Sequence, residues 1–362
     1  MAFTLYTVLG YPVLLAVLAR RGRPWKKAFV PRPVSVLLPV RNGERWIARK
    51  LESLLALDYP AGLLEILVAS DGSTDATEAI VERFAGRGVR LLHLPPAGKA
   101  LALNRALAEA HGEILFLTDV RQDLSRDSLR NLVACFADPA VGVASGELII
   151  RQGQNAAEAN VGLYWRYEKW IRSRQSRIDS VLGATGCIYA MRRELANPLP
   201  PETLADDMYL PLAAFFRGYR VILDASAQAF DDPTGLDTEF RRKVRTLAGV
   251  YQIIGSYPAL LGPRNRMWLH FLSHKLARLV LPWALLVLAA TSFALPDPWR
   301  ILALSGQVVF YTLAAFDGAL PESSVAKRLT SPARTFVVLM AAALCAVAIL
   351  FVPPQKLWKM RN

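Results

Sequence analysis

Four short polar clusters carry the groups in this chain that could do chemistry. They are Arg41-Asn42 with Glu44, the stretch Asp71-Gly72-Ser73-Thr74-Asp75, Gly98-Lys99, and Asp119 with Arg121. Each taken alone has a plain alternative. An Asp-Gly-Ser tripeptide also makes a turn and a helix cap, and a lysine at a helix start is often a solvated surface group. In chain order they offer carboxylates, an amide and a lysine to one ligand. A carboxylate pair, Asp206-Asp207, comes later. Its plain alternative is a helix start, where the macrodipole favours negative charge.

The elements that must position these groups are short. Val34–Val40 is an apolar run typical of a buried strand. Glu44–Leu57 has helical spacing, with Trp46, Ile47, Leu51 and Leu54 or Leu55 on one face. Glu65–Ala69, Val89–Leu94 and Ile114–Thr118 read as further strands, separated by helices over Thr74–Phe84 and Lys99–Ala110. Strands alternating with helices predict a parallel, doubly wound sheet. Ligands of such sheets sit at the carboxyl ends of the strands, and all four clusters fall there.

The chain has 362 residues, of which 53% are apolar and only 20% charged. That composition excludes disordered, collagen-like and disulfide-scaffold classes. The net charge of +13 points to nucleic acid, an anionic membrane surface or an anionic substrate such as a nucleotide. Cys135, Cys187 and Cys345 form no Cys-x-x-Cys pair, so neither a zinc knuckle nor a disulfide framework follows. His270 and His274 are four residues apart and read as one face of a helix beside the membrane.

The ends are apolar. Ala2–Ala19 is an uncharged run followed by Arg20, Arg21, Arg23, Lys26 and Lys27. A cleaved signal peptide carries its charges before the apolar run; here they follow, so a membrane helix with its basic flank in the cytoplasm is expected. Leu279–Leu295, Ile301–Phe316 and Thr335–Val352 are three more candidate spans. Four spans place the tail, with Lys356, Lys359 and Arg361, on the outer side against the positive-inside rule, so the number of spans stays open.

The polar clusters resemble those of the family 2 glycosyltransferases, whose nucleotide-sugar-binding fold is called GT-A. The matching pieces are Ser35-Val36-Leu37-Leu38-Pro39-Val40-Arg41-Asn42-Gly43-Glu44, Ser70-Asp71-Gly72-Ser73-Thr74-Asp75, Gly98-Lys99-Ala100-Leu101-Ala102-Leu103-Asn104 and Leu117-Thr118-Asp119-Val120-Arg121. Leu182–Ala190, with Gly186, looks like the family's acceptor-side glycine segment. Ala205-Asp206-Asp207-Met208 resembles its Thr-Glu-Asp motif. The resemblance implies that Asp207 is the catalytic base, with Asp206 beside it. It implies that Pro39, Asn42, Glu44, Asp71, Lys99, Asp119 and Arg121 bind the donor. Asp71 would bond the nucleoside, and Asp119 would hold Mg²⁺ or Mn²⁺. The family's Asp-x-Asp is here Asp119-Val120-Arg121. Arg121 is then either a charge for the donor in place of a metal ligand or half of a local salt bridge. Arg242 and Arg245 fall in the window of the Gln-x-x-Arg-Trp motif that grips diphosphate and acceptor in processive synthases, with Gln and Trp replaced. The plain alternative for this basic run is attraction to lipid headgroups. The segment Asn160–Ile178, with Leu163, Tyr164, Tyr167, Trp170 and Ile171 among basic residues, reads as an interfacial amphipathic helix or a packed surface helix.

The expected protein is α/β: a GT-A domain with a mostly parallel sheet at residues 31–250, a membrane helix with its basic flank at 1–30, and a membrane region of about three helices at 251–362. The expected function is an inverting transferase of the cytoplasmic membrane. It moves a sugar from a UDP-sugar, with GDP as the other carrier, to a lipid-linked or polysaccharide acceptor in cell-surface or exopolysaccharide synthesis. A processive synthase and a non-catalytic nucleotide-sugar-binding subunit are the alternatives. Nucleic acid is not an expected partner, since no nucleic-acid-binding motif is present.

Overall fold

Val34, Val36, Leu37 and Leu38 are fully buried, as a strand covered on both faces requires. The computed structural model describes residues 2–151, 156–233, 235–321 and 324–354, with the side chains of 156–165 outside the description. The chain divides into two compact units. One comprises Ala19–Arg151 and Arg172–Asp231; the other comprises Met1–Leu18, Gln152–Ile171 and Asp232–Asn362, as far as these are described. Of the residues expected within the catalytic domain, 156–171, 232–233 and 235–250 group with the apolar helices.

The first unit is built on one sheet of eight strands: β1 (Val34–Val40), β2 (Leu64–Asp71), β3 (Val89–Leu94), β4 (Ile114–Leu117), β5 (Asp123–Leu124), β6 (Val141–Ile150), β7 (Tyr189–Arg192) and β8 (Arg220–Asp231). Their order is β3-β2-β1-β4-β7-β6-β8-β5. The first four in that order are parallel, as the alternation of strands and helices predicts. Beyond β4 the sheet becomes mixed: β7 runs antiparallel to β4 and β6, β5 antiparallel to β8, and β6 pairs parallel with β8.

One face is covered by the helix Glu44–Leu55, which buries Ile47, Leu51 and Leu54 against Val36, Leu38 and Phe116. Each such side chain contributes about 1.5–3 kcal/mol by leaving water. Among the other helices is Lys99–Glu109, which buries Ala100, Ala102, Leu103 and Ala106 and packs on β1 and β2. Its Asn104 side chain bonds the backbone of Leu199 in both directions, at 2.8 and 2.7 Å. That clip anchors the loop leading to the helix Asp206–Phe216.

Among the described residues, four helices, lying wholly or mostly in the second unit, are long and apolar enough to cross a membrane: Ala2–Arg21, Trp268–Ser292, Trp299–Ala319 and Lys327–Leu350. Each overlaps an expected apolar run. The helix Leu236–Ser256 packs along the last of them. The two histidines act in packing here. His270 Nδ1 lies 3.1 Å from Tyr11 Oη, and His274 Nε2 lies 3.1 Å from Glu168, which also pairs with Arg278. Asp317 is buried and accepts from Thr330 at 2.6 Å and Ser331 at 2.7 Å. Lys356, Lys359 and Arg361 lie outside the described residues, as do the side chains of Leu163 and Tyr164.

Candidate active site

Register brings the polar clusters together. Val40 pairs with Ser70, Ser70 with His93 and Leu37 with Leu117, so β1, β2, β3 and β4 all end at one edge of the sheet. The loop after β1 is laced to the loop after β2. Asn42 Oδ1 accepts from Thr74 N at 2.8 Å, and Glu44 Oε2 accepts from Ala76 N at 3.0 Å. In return, the amides of Asn42, Gly43 and Glu44 donate to Ser73, Thr77 and Asp75 at 3.1, 2.7 and 3.1 Å. The predicted donor residues Asn42 and Glu44 therefore build the rim of the site. Pro39 lies half-buried in β1 opposite Ala69.

Asp71 is buried and ties down the next loop. Its Oδ1 accepts from the amides of Ala97 and Gly98 at 2.7 and 2.8 Å, and Arg41 stands 3.9 Å from its Oδ2. Gly72, at φ +60°, lies so close to Pro96 that a β-carbon would meet it at 2.7 Å, so no side chain fits there.

Lys99 opens its helix and points into the centre. Its Nζ lies 3.0 Å from Asp119 Oδ1 and 3.2 Å from Asp206 Oδ1, with about a quarter (26%) of the side chain exposed. Burial alone lowers the pKa of such an ammonium; Asp119, Asp206 and Asp207 outweigh it and hold Lys99 above the usual lysine range. Asp206 and Asp207 occupy the first turn of the helix Asp206–Phe216, where the macrodipole favours carboxylates. Beneath them the Tyr189 hydroxyl is buried with no hydrogen-bond partner among the described residues. Burial raises its pKa, and the charges of Asp206, Asp207 and Asp119 push the same way.

The segment Leu182–Ala190 closes in behind Asp207. The amide of Ala184 donates to Asp207 O at 2.7 Å. A β-carbon on Gly186 would stand 3.2 Å from Asp207 Oδ2. Arg172, from the helix Ala156–Ile178, donates to Thr185 Oγ1 at 3.0 Å and Gly183 O at 3.1 Å. Burial lowers the Arg172 pKa and the charge of Asp207 opposes that, which places this guanidinium in the field of the carboxylate. Sequence reading counted Arg172 only among the basic residues of the Asn160–Ile178 segment, read as an interfacial amphipathic helix or a packed surface helix.

The bend after β4 carries Asp119 and Arg121. Arg121 Nη2 lies 2.5 Å from Asp231 Oδ2, an oxygen that also accepts from Gln122 Nε2 at 2.8 Å. Asp231 is buried, so Arg121 serves as half of a local salt bridge. Asp119 keeps 38% of its side chain exposed. Mg²⁺ and Mn²⁺ take oxygen ligands, and one or two carboxylates with substrate phosphates suffice to hold them. Among the described residues no three His, Cys, Asp or Glu side chains form a metal cluster by themselves. Asp119 thus fits an ion that arrives with a diphosphate.

Lys50 was not singled out by sequence reading. It lies on the apolar row of its helix, 1% exposed, and its Nζ donates to Thr118 Oγ1 at 2.7 Å and Gln122 O at 2.8 Å. Burial lowers its pKa to about 8, against the opposing charges of Cys187, Asp119 and Asp123. Arg242 and Arg245 belong to the second unit, where Arg242 pairs with Glu239 at 3.2 Å.

A family model described as glycosyl transferase family 2 matches residues 35–199, and one described as glycosyl transferase family group 2 matches residues 121–350. The chain belongs to glycosyltransferase family 2. A mannosyltransferase of Pyrobaculum calidifontis, solved with GDP-Man and Mn²⁺, is similar over 97% of both chains at 27% identity and a TM-score of 0.74. The family's GT-A fold is thereby shown for this chain. A beta-monoglucosyldiacylglycerol synthase of Nostoc is 28% identical over 216 residues, 57% of this chain and 46% of the relative. The poly(ribitol-phosphate) beta-N-acetylglucosaminyltransferase TarS of Staphylococcus aureus is 32% identical over 193 residues, 52% of this chain and 33% of the relative. The chain spans less than half the length of these two curated relatives.

Proposed function

We propose that this chain is an inverting glycosyltransferase that passes a sugar from a nucleoside diphosphate sugar to a lipid-linked or glycan acceptor at the cytoplasmic face of a membrane. The observation that carries it is Lys99, held between Asp119 and Asp206 in the field of Asp207, at the carboxyl edge of the sheet. The lysine brings a donor-side and an acceptor-side carboxylate together in a half-buried space, as a site that must handle both a diphosphate and a proton requires.

The reaction divides among these residues. Asp207 takes the proton of the acceptor hydroxyl. The freed oxygen attacks the anomeric carbon on the face opposite the diphosphate. The bond from that carbon to the diphosphate oxygen breaks, and its electron pair leaves with the nucleoside diphosphate. Lys99 orients Asp119 and Asp206 and offsets their repulsion. Arg172 and Gly186 fix the position of Asp207. Asp119 would hold Mg²⁺ or Mn²⁺ with the phosphates, and such an ion supplies positive charge to the departing diphosphate.

Family resemblance supports UDP as the carrier. A second donor reading, GDP-mannose, is favoured by the mannosyltransferase that matches along 97% of both chains and was solved with GDP-Man. The four apolar helices and the basic flank Arg20–Lys27 support a membrane location with the site in the cytoplasm and a role in making cell-surface glycans or glycolipids.

The test is nucleoside diphosphate release by detergent-purified protein across UDP- and GDP-sugars, with native lipid extract as acceptor and with Mg²⁺, Mn²⁺ or EDTA. One donor is expected to turn over. Asp207→Asn is expected to lose about 10²–10⁴-fold in rate, the usual range for a general base, with nucleotide binding kept. Transfer by Asp207→Asn at the wild-type rate would sink this reading.

A further inference from the structure

The helix Glu44–Leu55 buries Ile47, Leu51 and Leu54, and Lys50 lies in the same row at 1% exposure. A lysine there gives up hydration that only strong hydrogen bonds repay. Among the described residues it has no carboxylate at ion-pair distance. It spends its ammonium on two oxygens, Thr118 Oγ1 at 2.7 Å and Gln122 O at 2.8 Å. These bracket Asp119-Val120-Arg121, the stretch between β4 and β5 that no strand ladder holds. Thr118 Oγ1 in turn donates to Cys187 O at 2.8 Å, next to the Gly186 that backs Asp207. The far end of the bend is held from the other side, where Gln122 and Arg121 both bond Asp231.

We propose that Lys50 is a positioning residue for donor binding: its buried ammonium clamps both ends of the Asp119–Arg121 bend and, through Thr118, joins the bend to the segment behind Asp207. Lys50 touches no substrate. It acts by fixing where the Asp119 carboxylate stands, and the inference rests on the donor-side reading of Asp119. A lysine suits the task because its stem packs among the apolar neighbours of the helix while its head delivers several charge-assisted bonds at once.

The experiment uses full-length, detergent-purified protein. Lys50→Met keeps the length and removes the donors; Thr118→Val removes the shared acceptor and leaves the lysine. UDP and GDP binding with Mn²⁺ is measured by calorimetry, alongside donor KM, acceptor KM and Tm. Both variants are expected to weaken nucleoside diphosphate binding and raise donor KM by about 10-fold or more, as loss of a supporting contact behind a binding group does. Acceptor KM is expected to stay unchanged, and the double variant to be no worse than the weaker single, as for two ends of one clamp. A merely structural lysine would lower Tm and the active fraction and leave donor KM where it was. Lys50→Met with wild-type affinity and donor KM overturns the inference. Should Lys50→Met not fold, Thr118→Val decides by the same criteria. Asp119→Asn runs beside them. Wild-type affinity in Asp119→Asn removes the donor-side reading and the clamp with it. A loss in Asp119→Asn without one in Lys50→Met removes the clamp alone.

Discussion

Gly186 lies against the Asp207 carboxylate so closely that a β-carbon there would stand 3.2 Å from Oδ2 and 3.3 Å from the Asp207 Cβ. The glycine defines the wall behind the proposed base. Gly186→Ala is expected to push the carboxylate by a few tenths of an ångström and to lower kcat by about 10-fold or more, since catalysis depends steeply on the placement of reacting groups. Nucleotide affinity is expected to hold. Unchanged kcat in Gly186→Ala would show that the wall yields at no cost.

Lys99→Met leaves Asp119 and Asp206 facing each other without the ammonium that lies 3.0 and 3.2 Å from them. Their mutual repulsion is then unopposed, and the incoming diphosphate meets two bare carboxylates. Donor KM is expected to rise by about 10-fold or more. A donor KM equal to that of the wild type would contradict the central place given to this lysine.

Arg121→Met removes one partner of a buried carboxylate, Asp231, which keeps Gln122 at 2.8 Å. Because the arginine is partly exposed, the cost is set at about 1–2 kcal/mol, a fall in apparent Tm of about 2–6 °C. Donor KM should stay within about 3-fold, as for a group that touches no ligand. A rise well beyond that with Tm unchanged would reassign Arg121 to the diphosphate.

Lys50 also gives the fold a pH dependence. Its pKa is lowered by burial to about 8, from 10.5 in the open chain. Between these values the unfolded chain holds a proton that the folded one has shed, so stability rises with pH across the window, by about 3 kcal/mol in all. Below about pH 8 the folded state carries the whole cost of the buried charge. The wild type is therefore expected to gain stability on Lys50→Met as pH rises from 8 to 10.5. Denaturation midpoints of both proteins through that range check this, and a constant difference would refute it.

The parallel half of the sheet was legible because its strands alternate with helices, and the central one, covered on both faces, reads as an apolar run; Val34–Val40 and Val89–Leu94, the latter an edge strand with Arg90 and His93 in it, match their expected bounds. The helix expected from Thr74 begins at Thr77, because Ser73, Thr74, Asp75 and Ala76 are engaged with the neighbouring loop. The strands β5 to β8 were not legible, since their pairing depends on distant segments. Lys50 escaped notice because a lysine on an amphipathic helix is normally solvated. The signal was its place one turn from Ile47 and Leu54, on the face that goes inside. Arg172 was hidden for a related reason: basic residues along an amphipathic helix read as facing lipid headgroups or solvent, and nothing local announces Thr185 and Gly183 as partners.

The lacing between the loops after β1 and β2 couples their motions. The amides of Asn42, Gly43 and Glu44 donate one way and those of Thr74 and Ala76 the other, so neither loop can lift without breaking bonds of its neighbour. In native-state hydrogen exchange these five amides are expected to open as a single cooperative unit with one shared free energy. The rim then behaves as one rigid jaw, and an insertion in either loop loosens both.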